Sequence, residues 1–437
     1  MILRRTARTD VPRATPIIAP LSRNRNYRLL WGSQALSGFG GHAGAIAFPL
    51  VVLAITDSPA TVGLVLGTGA AASLLVGLPA GALVDRWNRK TIMFCSEATG
   101  VLTSLSLAIA LWYGVANVIH MVLVAIIAGV CAGISGPAEE ACLPNLVPEE
   151  QVPTAVSMNA ARSSLAALSG TAAGGFLLAI GRFVPFAVDA LTGLVASLGL
   201  LFLRIPPRQV QPEALTLRRL GHEMASGLRW MWHHRSVRTI GLFAVGLNMF
   251  FAAYLIIIIV MLKGRGVSSG EIGIMTAMMG LGGILGALVA PYLYRRLSPY
   301  VSIIAVFWTL TLVAPLAIFI HNGYLMGLLF AAMTFLSPTA NTTISTYQLL
   351  LTPDELRGRM SSVMGVLIGS AAVVGPAAGG FLMEAISDSK AVLLCAAGIG
   401  IVTTLGTISP TLRKFPRHAA VVAPQATVQE HEQRVIG

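Results

Sequence analysis

Long apolar stretches, separated by short polar ones, account for most of the chain. Twelve of them are long enough to cross a hydrocarbon core of about 30 Å as helices. They lie at residues 29–54, 60–83, 92–113, 117–137, 154–180, 184–204, 239–262, 270–293, 300–320, 323–345, 358–386 and 390–410. The pattern predicts an all-α polytopic membrane protein with twelve transmembrane helices in two six-helix bundles.

Charge is scarce and unevenly placed. Only 11% of the 437 residues are charged, whereas a soluble domain would carry about 25%. The formal net charge is +12, and 25 of the 30 Lys and Arg residues lie in segments on the side that holds both termini. Because cytoplasmic loops are enriched in Lys and Arg, we expect both termini to be cytoplasmic. The excess positive charge is then explained by the orientation of the chain in the membrane. It therefore argues against a nucleic-acid partner.

The longest internal polar segment, residues 205–238, divides the twelve stretches into six and six. Its apolar residues recur at helical spacing, which predicts an amphipathic helix on the cytoplasmic membrane surface. The expected organisation is a tail, a six-helix bundle, this linker, a second six-helix bundle and a second tail. These segments cover residues 1–27, 28–204, 205–238, 239–410 and 411–437.

Three matches at an offset of 205 residues indicate that the two bundles are homologous, parallel repeats. Gly81-Ala82-Leu83-Val84 recurs at 286–289, and Pro148-Glu149-Glu150 recurs as Pro-Asp-Glu at 353–355. The glycine-rich run at 170–177 recurs at 375–382.

A compact charge cluster follows the second apolar stretch. Gly81 precedes Asp85, Arg86, Arg89 and Lys90. Such a cluster cannot lie in hydrocarbon, so it predicts a short loop at a membrane surface. Its basic residues serve at least as topology anchors.

Polar side chains within the apolar stretches are candidate proton or substrate sites. Gln34, Gly38 and His42 are four residues apart and share one helix face, which we interpret as a cavity wall. His42 suits a proton site, although a packed, hydrogen-bonded histidine is the alternative. In the second bundle, Asn248 and Tyr254 are the best cavity candidates.

Three charged residues within the first bundle leave alternatives open. Asp189 either carries a proton or supports helix packing. Arg162 needs an acid, a backbone carbonyl or water. Glu139 and Glu140, which we expect on the preceding loop, are candidate partners, and substrate contact is the other interpretation. Glu97 is expected to reach the membrane surface or to pair with loop bases, and substrate binding is the alternative.

Several motifs together resemble the enterobactin-exporter and macrolide-efflux branch of the major facilitator superfamily. The charge cluster resembles the superfamily's loop between helices two and three, with Asn88 where glycine is usual. The other matching segments are Asn24–Trp31, Thr56–Pro59, Leu78–Trp87, Leu143–Pro148, Val188–Ala190 and Gly227–Trp230.

The resemblance implies a gate. The acid of this loop meets the start of helix eleven in the family, so Asp85 is expected to interact with the segment that contains Asp354, Arg357 and Arg359. Such contacts would form when the cytoplasmic gate is closed and break when it opens.

A second motif resembles the Gly-Pro motif of drug–proton exchangers. It comprises Gly375, Pro376, Gly379 and Gly380. It lies in helix eleven rather than in helix five, so simple helix packing is the competing interpretation and antiport does not follow from it.

The implied function is a secondary transporter of the bacterial inner membrane that exports drugs, antibiotics, siderophores or similar small amphiphilic molecules by alternating access, in exchange for protons. A nutrient importer, an uncoupled facilitative carrier and a non-transporting sensor are the alternatives. We expect a monomer whose partners are its small-molecule substrate, protons and the lipid bilayer.

Some chemistry is absent from the sequence. No G-x4-G-K-[ST] loop, no nucleophile–histidine arrangement on a loop and no cluster of metal ligands occurs. We therefore expect neither an enzyme nor a cofactor or metal site.

Overall fold

The computed structural model describes residues 21–204, 217–352 and 356–413. These parts contain helices and no strand. The α-helices are α1 (Arg25–Thr56), α2 (Pro59–Arg86), α3 (Arg89–Trp112), α4 (Val118–Leu146), α5 (Val152–Ile180), α6 (Val184–Leu201), α7 (Leu217–His233), α8 (Arg235–Gly264), α9 (Ser269–Arg296), α10 (Pro299–Val313), α11 (Gly323–Phe335), α12 (Ser337–Leu351), α13 (Arg357–Ala385), α14 (Asp388–Ile408) and α15 (Pro410–Arg413).

Twelve helical segments of the described residues are long and apolar enough to cross a membrane. Two of them are compound: α10 continues as a 3-10 turn to Phe319, and α11 and α12 together form one span that is interrupted at Leu336. The predicted all-α class is confirmed.

Short connections between these helices are possible because polar residues cap the helix starts. The side chains of Ser58, Asn117 and Ser268 each accept a hydrogen bond from a backbone N–H in the first turn of α2, α4 and α9. Those N–H groups have no partner within the helix, so the caps satisfy them where the chain reverses.

The two halves, α1–α6 and α8–α14, repeat each other in two registers. Helix α2 runs from Pro59 to Arg86 and α9 from Ser269 to Arg296, an offset of 210 residues at both ends. Helix α5 (Val152–Ile180) and α13 (Arg357–Ala385) differ by 205 at both ends. The Gly-Ala-Leu-Val match at 205 is therefore out of register, and Arg295 is the structural counterpart of Asp85. The second match, at 353–355, lies outside the described residues.

Glycines bring the backbones of the two halves into contact along α2 and α13. A Cβ added to Gly63 would overlap the carbonyl oxygen of Pro376, and one added to Gly380 would overlap that of Pro59. A Cβ at Gly67 would lie 2.9 Å from the carbonyl oxygen of Val373. Only a residue without a side chain permits this approach.

The same arrangement recurs between α5 and α9. A Cβ added to Gly273 would lie 2.8 Å from the carbonyl oxygen of Thr171, and Gly175 packs on the backbone of Ser269. Gly273 corresponds to Gly63, and Thr171 corresponds to Pro376. Both pairs of contacts lie at the end where α2 and α9 begin, which we call the tight end.

The opposite end carries Arg86, Lys90 and Arg295, and we call it the basic end. The contacts that glycines make between the halves become fewer toward it. The side chains of Leu74 and Leu168 still reach Gly369 and Gly280 near the middle of the helices. Closer to the basic end, a Cβ at Gly81, Gly283 or Gly365 would meet no atom within 4 Å. The backbones of the two halves are thus in contact at the tight end, whereas these three glycines make no such contact nearer the basic end.

A carboxylate adds a polar contact between the halves at the tight end. Glu384 of α13 accepts hydrogen bonds from the hydroxyl of Ser58 at 2.7 Å and from the backbone N–H of Ala60 at 3.1 Å. These donors form the N-terminus of α2, where the partial positive charge of the helix favours an anion.

The predicted linker helix is present as α7. The apolar residues on its predicted stripe differ in exposure, because some are buried against the second half and others are exposed. Met231 is buried against Met360 and Val363 of α13, whereas Leu228 is exposed. A Cβ at Gly227 would lie 3.2 Å from the carbonyl oxygen of Arg359. The helix therefore packs on the second half as well as offering an apolar face to its surroundings.

We expect Gly380→Ala to lower the unfolding temperature of the purified protein and Gly365→Ala to raise it or leave it unchanged. A methyl group at Gly380 would overlap the backbone of Pro59, whereas one at Gly365 meets no atom within 4 Å. Both substitutions replace glycine by alanine within a helix, which by itself stabilises the helix by about 1 kcal/mol. Thermal unfolding in detergent provides the measurement, and equal shifts would contradict the packing.

We also expect Glu384→Gln to increase the fraction of molecules with an open tight end by about fivefold. The substitution removes the negative charge at the N-terminus of α2, and a loss of about 1 kcal/mol in that interaction changes an equilibrium constant by this factor. The measurement is maleimide labelling of Ala60→Cys in a chain whose native cysteines are replaced. Glu271→Gln is the matched control, because Glu271 accepts a hydrogen bond from Gly323 within the second half. Equal labelling of both variants would show that Glu384 does not hold this end closed.

Candidate functional site

A polar cavity of about 670 Å³ lies within the first half, among α1, α3, α4, α5 and α6. Gln34, His42, Arg162 and Asp189, which the sequence singles out, all line it. Its other polar lining residues are Ser37, Ser96, Glu97, Thr103, Ser104, Cys131, Ser135, Glu139 and Ser163. The volume is within the range of small-molecule sites.

Glu97 of α3 is bound to α1 across this cavity. The hydroxyl of Ser37 lies 2.9 Å from both carboxylate oxygens and donates its one hydrogen to this carboxylate, and the amide of Gln34 donates to Oε1 at 3.2 Å. The expectation that Glu97 reaches the surface or pairs with loop bases is therefore wrong. Two polar residues of α1 at the depth of Glu97 satisfy the carboxylate inside the bundle.

Asp189 of α6 lies beside the glycine-rich face of α1. Ser104 donates to its Oδ2 at 2.5 Å. A Cβ at Gly40 would lie 2.9 Å from the Cα of Asp189, so glycine allows this approach. Neither Asp189 nor Glu97 has a basic partner within 4.0 Å among the residues that the structure describes.

Arg162 forms an ion pair with Glu139, as the sequence suggested, although Glu139 belongs to α4 rather than to a loop. The Nη2–Oε1 distance is 2.6 Å, and both side chains are largely buried. Asn159 donates to the same carboxylate oxygen at 3.4 Å. The pair neutralises the arginine inside the half, where an unpaired charge would be costly.

His42 lies on the cavity wall with Gln34 and Gly38, on the face that their spacing predicts. It forms no hydrogen bond with the described part of the chain. The described residues therefore do not support the alternative that hydrogen bonds hold His42 in the packing of the bundle.

The second half contains a different cavity at the equivalent place. It has a volume of about 290 Å³ and is lined mainly by apolar residues of α8, α10, α11 and α12, together with Leu412 of α15. Asn248 lines it, as expected, and donates to the carbonyl oxygen of Ala244 at 2.8 Å. Thr334, Ser337 and Asn341 are its other polar residues.

Tyr254 is not a cavity residue, contrary to expectation. Its side chain is 0% exposed and packs against Phe330, and its hydroxyl donates to the carbonyl oxygen of Ala314 at 2.8 Å. Six residues separate it from Asn248, which places the two on different faces of α8.

Equivalent positions explain the contrast between the two cavities. With the offset of 210 residues for the first three helices of each half, Gln34, Ser37 and Glu97 correspond to Ala244, Leu247 and Phe307. With the offset of 205 for α4 and its counterpart, Glu139 corresponds to Ile344. All four counterparts line the second cavity. The helices of the two halves thus have the same arrangement, but the residues that line the cavity are polar in the first half and mainly apolar in the second.

The predicted gating residues make contacts within the basic end of each half. Arg89 donates to the carbonyl oxygen of Ala141 at 2.5 Å, and Lys90 donates to that of Leu201 at 2.7 Å. Both acceptors lie near the ends of helices, where carbonyl groups favour cations. Gly81 and Arg86 are exposed at this end.

The proposed partners of the loop are described only in part. Arg359 lies 3.4 Å from the hydroxyl of Ser226 on α7, to which it donates. Arg357 begins α13. Asp354 and the side chains of Asp85 and Arg357 lie outside the described residues, so the latch between them stays a prediction.

The glycine-rich motif of α13 has a clear packing role. Gly375 and Gly379 contact the backbone of α8 at Met249 and Ala253, and Gly380 contacts α2. Pro376 meets Gly63 across the halves. The motif therefore holds α13 between two neighbouring helices, which agrees with the helix-packing interpretation.

Residues 15–434 match the family model described as transmembrane secretion effector. The multidrug efflux pump Tap of Mycolicibacterium fortuitum is 26% identical over 410 residues, covering 87% of this chain and 94% of that protein. Macrolide efflux protein A of Enterococcus faecalis is 26% identical over 309 residues, covering 68% and 92%. The enterobactin exporter EntS of Shigella dysenteriae is 25% identical over 396 residues, covering 88% and 91%.

Solved structures show the same fold at lower identity. A bacterial homologue of the human lysosomal transporter Spinster matches with a TM-score of 0.67 and 17% identity, covering 90% of this chain and 98% of that one. The nucleoside transporter NupG matches with a TM-score of 0.71 and 13% identity, covering 87% and 98%. The chain therefore belongs to the transmembrane secretion effector family of major facilitator transporters, which are multi-pass membrane proteins and not enzymes.

Proposed function

We propose that the protein exports small amphiphilic molecules, such as drugs, antibiotics or siderophores, across the bacterial inner membrane by alternating access, in exchange for protons. The observation that carries the proposal is the packing of the two halves. They meet backbone to backbone at the tight end, through Gly63, Gly273 and Gly380, whereas Gly81, Gly283 and Gly365, which lie nearer the basic end, make no such contact. Rocking about such a contact is the motion that alternating access requires.

The charge distribution supports export as the direction of transport. The excess of Lys and Arg favours a cytoplasmic location for the basic end and for both termini. Gly81, Gly283 and Gly365, which lie nearer this end, meet no atom within 4 Å, which is consistent with entry of cargo from the cytoplasm. Each chain contains both halves and both cavities, which supports a monomeric transporter.

The contrast between the two cavities supports an amphiphilic cargo. The cavity of the first half offers charged and hydroxyl groups, and that of the second half offers mainly apolar side chains. A molecule with one polar and one apolar part would use both. The printed functions of three relatives, which concern multidrug, macrolide and enterobactin efflux, are consistent with such a cargo and with export.

Proton exchange is supported by the chemistry of the first cavity. Asp189, Glu97 and His42 can each bind a proton, and all three line the cavity. The sequence contains no ATP-binding loop that would provide another energy source. Asp189 contacts both α1 and α3, so a change in its protonation would alter the packing between three helices.

We expect Asp189→Asn to abolish proton movement upon cargo addition, because an amide cannot exchange a proton. Everted membrane vesicles that hold a pH gradient provide the assay, with a macrolide, a tetracycline and a catecholate siderophore as test cargoes. The wild-type protein should dissipate the gradient with at least one of them. Asp57→Asn, the same change in a turn outside the cavity with φ 48°, should behave like wild type.

Three outcomes would contradict the proposal. Cargo movement without proton movement in the wild-type protein would indicate an uncoupled carrier. Accumulation of labelled cargo in intact cells would indicate an importer. Movement of no cargo, together with a wild-type phenotype for Asp85→Asn, would favour a non-transporting sensor.

A further inference from the structure

The short helix α15 inserts one side chain into the wall of the second cavity. Leu412 lines this cavity and is 1% exposed, although α15 lies outside the twelve spans. We infer that Leu412 closes the second cavity at the basic end, and that movement of α15 opens this cavity to the cytoplasm. The inference rests on the proposed transport function, because it concerns access to one part of the cargo site.

Leu412 lies at the basic end of the cavity. It forms a buried cluster with Ile240 and Ile304, which lie five residues after the first residues of α8 and α10. Both helices begin at the basic end, and α14, which precedes α15, ends there. Phe251 and Leu310 form the opposite end of the cavity, so the cavity follows α8 for about 16 Å. Leu412 therefore lies between the cavity and the surroundings of the basic end.

Contacts with the ends of spanning helices hold α15 in this place. Arg413 donates from Nε to the carbonyl oxygen of Thr407 at 2.9 Å, and the hydroxyl of Tyr300 donates to the same oxygen at 2.9 Å. A Cβ added to Gly406 would lie 3.8 Å from Cδ1 of Leu412, so this glycine borders the same place. Because α15 has only four residues, it can move without unfolding a spanning helix.

The first half is closed differently at its basic end. Leu203, which follows the last helix of that half, is buried in a larger apolar cluster that includes Leu21, Tyr27 and Val84. Within the part of the chain that the structure describes, no buried residue of that cluster lines the first cavity. An apolar layer thus separates the first cavity from the basic end, whereas Leu412 belongs both to the closing layer and to the wall of the second cavity.

Closure within the second half is a separate requirement from closure between the halves. Alternating access closes the basic end by bringing the two halves together. That motion does not block a route that enters the second half between α8, α10 and α14, where Leu412 lies. Such a route would connect the two sides of the membrane whenever the cavity faces the tight end. Leu412 prevents this leak, and α15 is the element through which the closure can be regulated.

The reaction of a cysteine inside the cavity provides the test. Val306→Cys places a thiol in the cavity wall, at a position that is 3% exposed, in a chain whose native cysteines are replaced. Its rate of reaction with a small, charged methanethiosulfonate reagent is measured on the purified full-length protein in nanodiscs. Adding Leu412→Ala should raise this rate by about tenfold or more, because the truncation removes most of the apolar contact that holds Leu412 in place.

Matched variants of the same Val306→Cys parent separate an opened cavity from a loosened fold. Leu412→Met keeps a similar side-chain volume and should change the rate by less than about twofold. Ile408→Ala truncates an exposed side chain of α14 outside the cavity and should leave the rate unchanged. Arg413→Ala removes the hydrogen bond to Thr407 but retains Leu412, so it should raise the rate by a smaller factor than Leu412→Ala. All variants are compared by size-exclusion profile and unfolding temperature.

The inference is overturned if a folded Leu412→Ala variant reacts at the rate of its parent, or if Ile408→Ala raises the rate as much as Leu412→Ala does. If Leu412→Ala does not fold, an unchanged rate in Arg413→Ala overturns it. Labelling needs neither cargo nor a proton gradient, so its failure leaves the proposed export untouched. Faster labelling of Leu412→Ala, in a protein that moves none of the test cargoes, would retain the closure by Leu412 and reject the proposed function.

Discussion

Backbone contact between the two halves, made possible by glycine, is the constraint on which the rest of the structure depends. Gly63, Gly67 and Gly380 allow α2 and α13 to touch along their first or last turns, and Gly175 and Gly273 do the same for α5 and α9. Close contact requires no interlocking side chains, so it can form and separate repeatedly without repacking a core.

The two halves have the same arrangement of helices but different side chains at equivalent positions. The helices correspond at offsets of 210 and 205 residues, yet Glu97 is replaced by Phe307 and Glu139 by Ile344. Charged groups are costly inside a membrane protein unless they are paired or serve a ligand. Arg162 and Glu139 meet the first condition. Glu97 and Asp189 have no basic partner within 4.0 Å in the part of the chain that the structure describes, which is why the first half is the centre of the proposed chemistry.

The sequence predicted those features that depend on composition and period alone. Twelve spans, their division by a polar linker and the family follow from long apolar runs and short motifs. The cavity face of Gln34, Gly38 and His42 followed from helical spacing. The partner of Arg162 was predictable because a buried arginine requires an acid and Glu139 is near in sequence.

Errors arose where a side chain's surroundings depend on another helix. Glu97 was assigned to the surface because its distance from the helix end suggested it, but Ser37 and Gln34 of α1 bind it inside the bundle. The hydroxyl of Tyr254 made it a candidate for lining a cavity. Its position on α8, however, places the hydroxyl against the carbonyl oxygen of Ala314, to which it donates a hydrogen bond. The contact of Glu384 with Ser58 has no local signal, because it joins residues 326 apart in the chain.

The central claim is that the tight end must open in each transport cycle. The hydroxyl of Ser58 lies 2.7 Å from the carboxylate of Glu384 across the tight end. The direct measurement is therefore cargo efflux by a Ser58→Cys, Glu384→Cys variant without its native cysteines, before and after reaction with a short thiol cross-linker that contains a reducible disulfide. The account predicts that cross-linking stops efflux, that a reductant restores it and that cargo binding from the basic end persists throughout. Undiminished efflux by the fully cross-linked protein would contradict it.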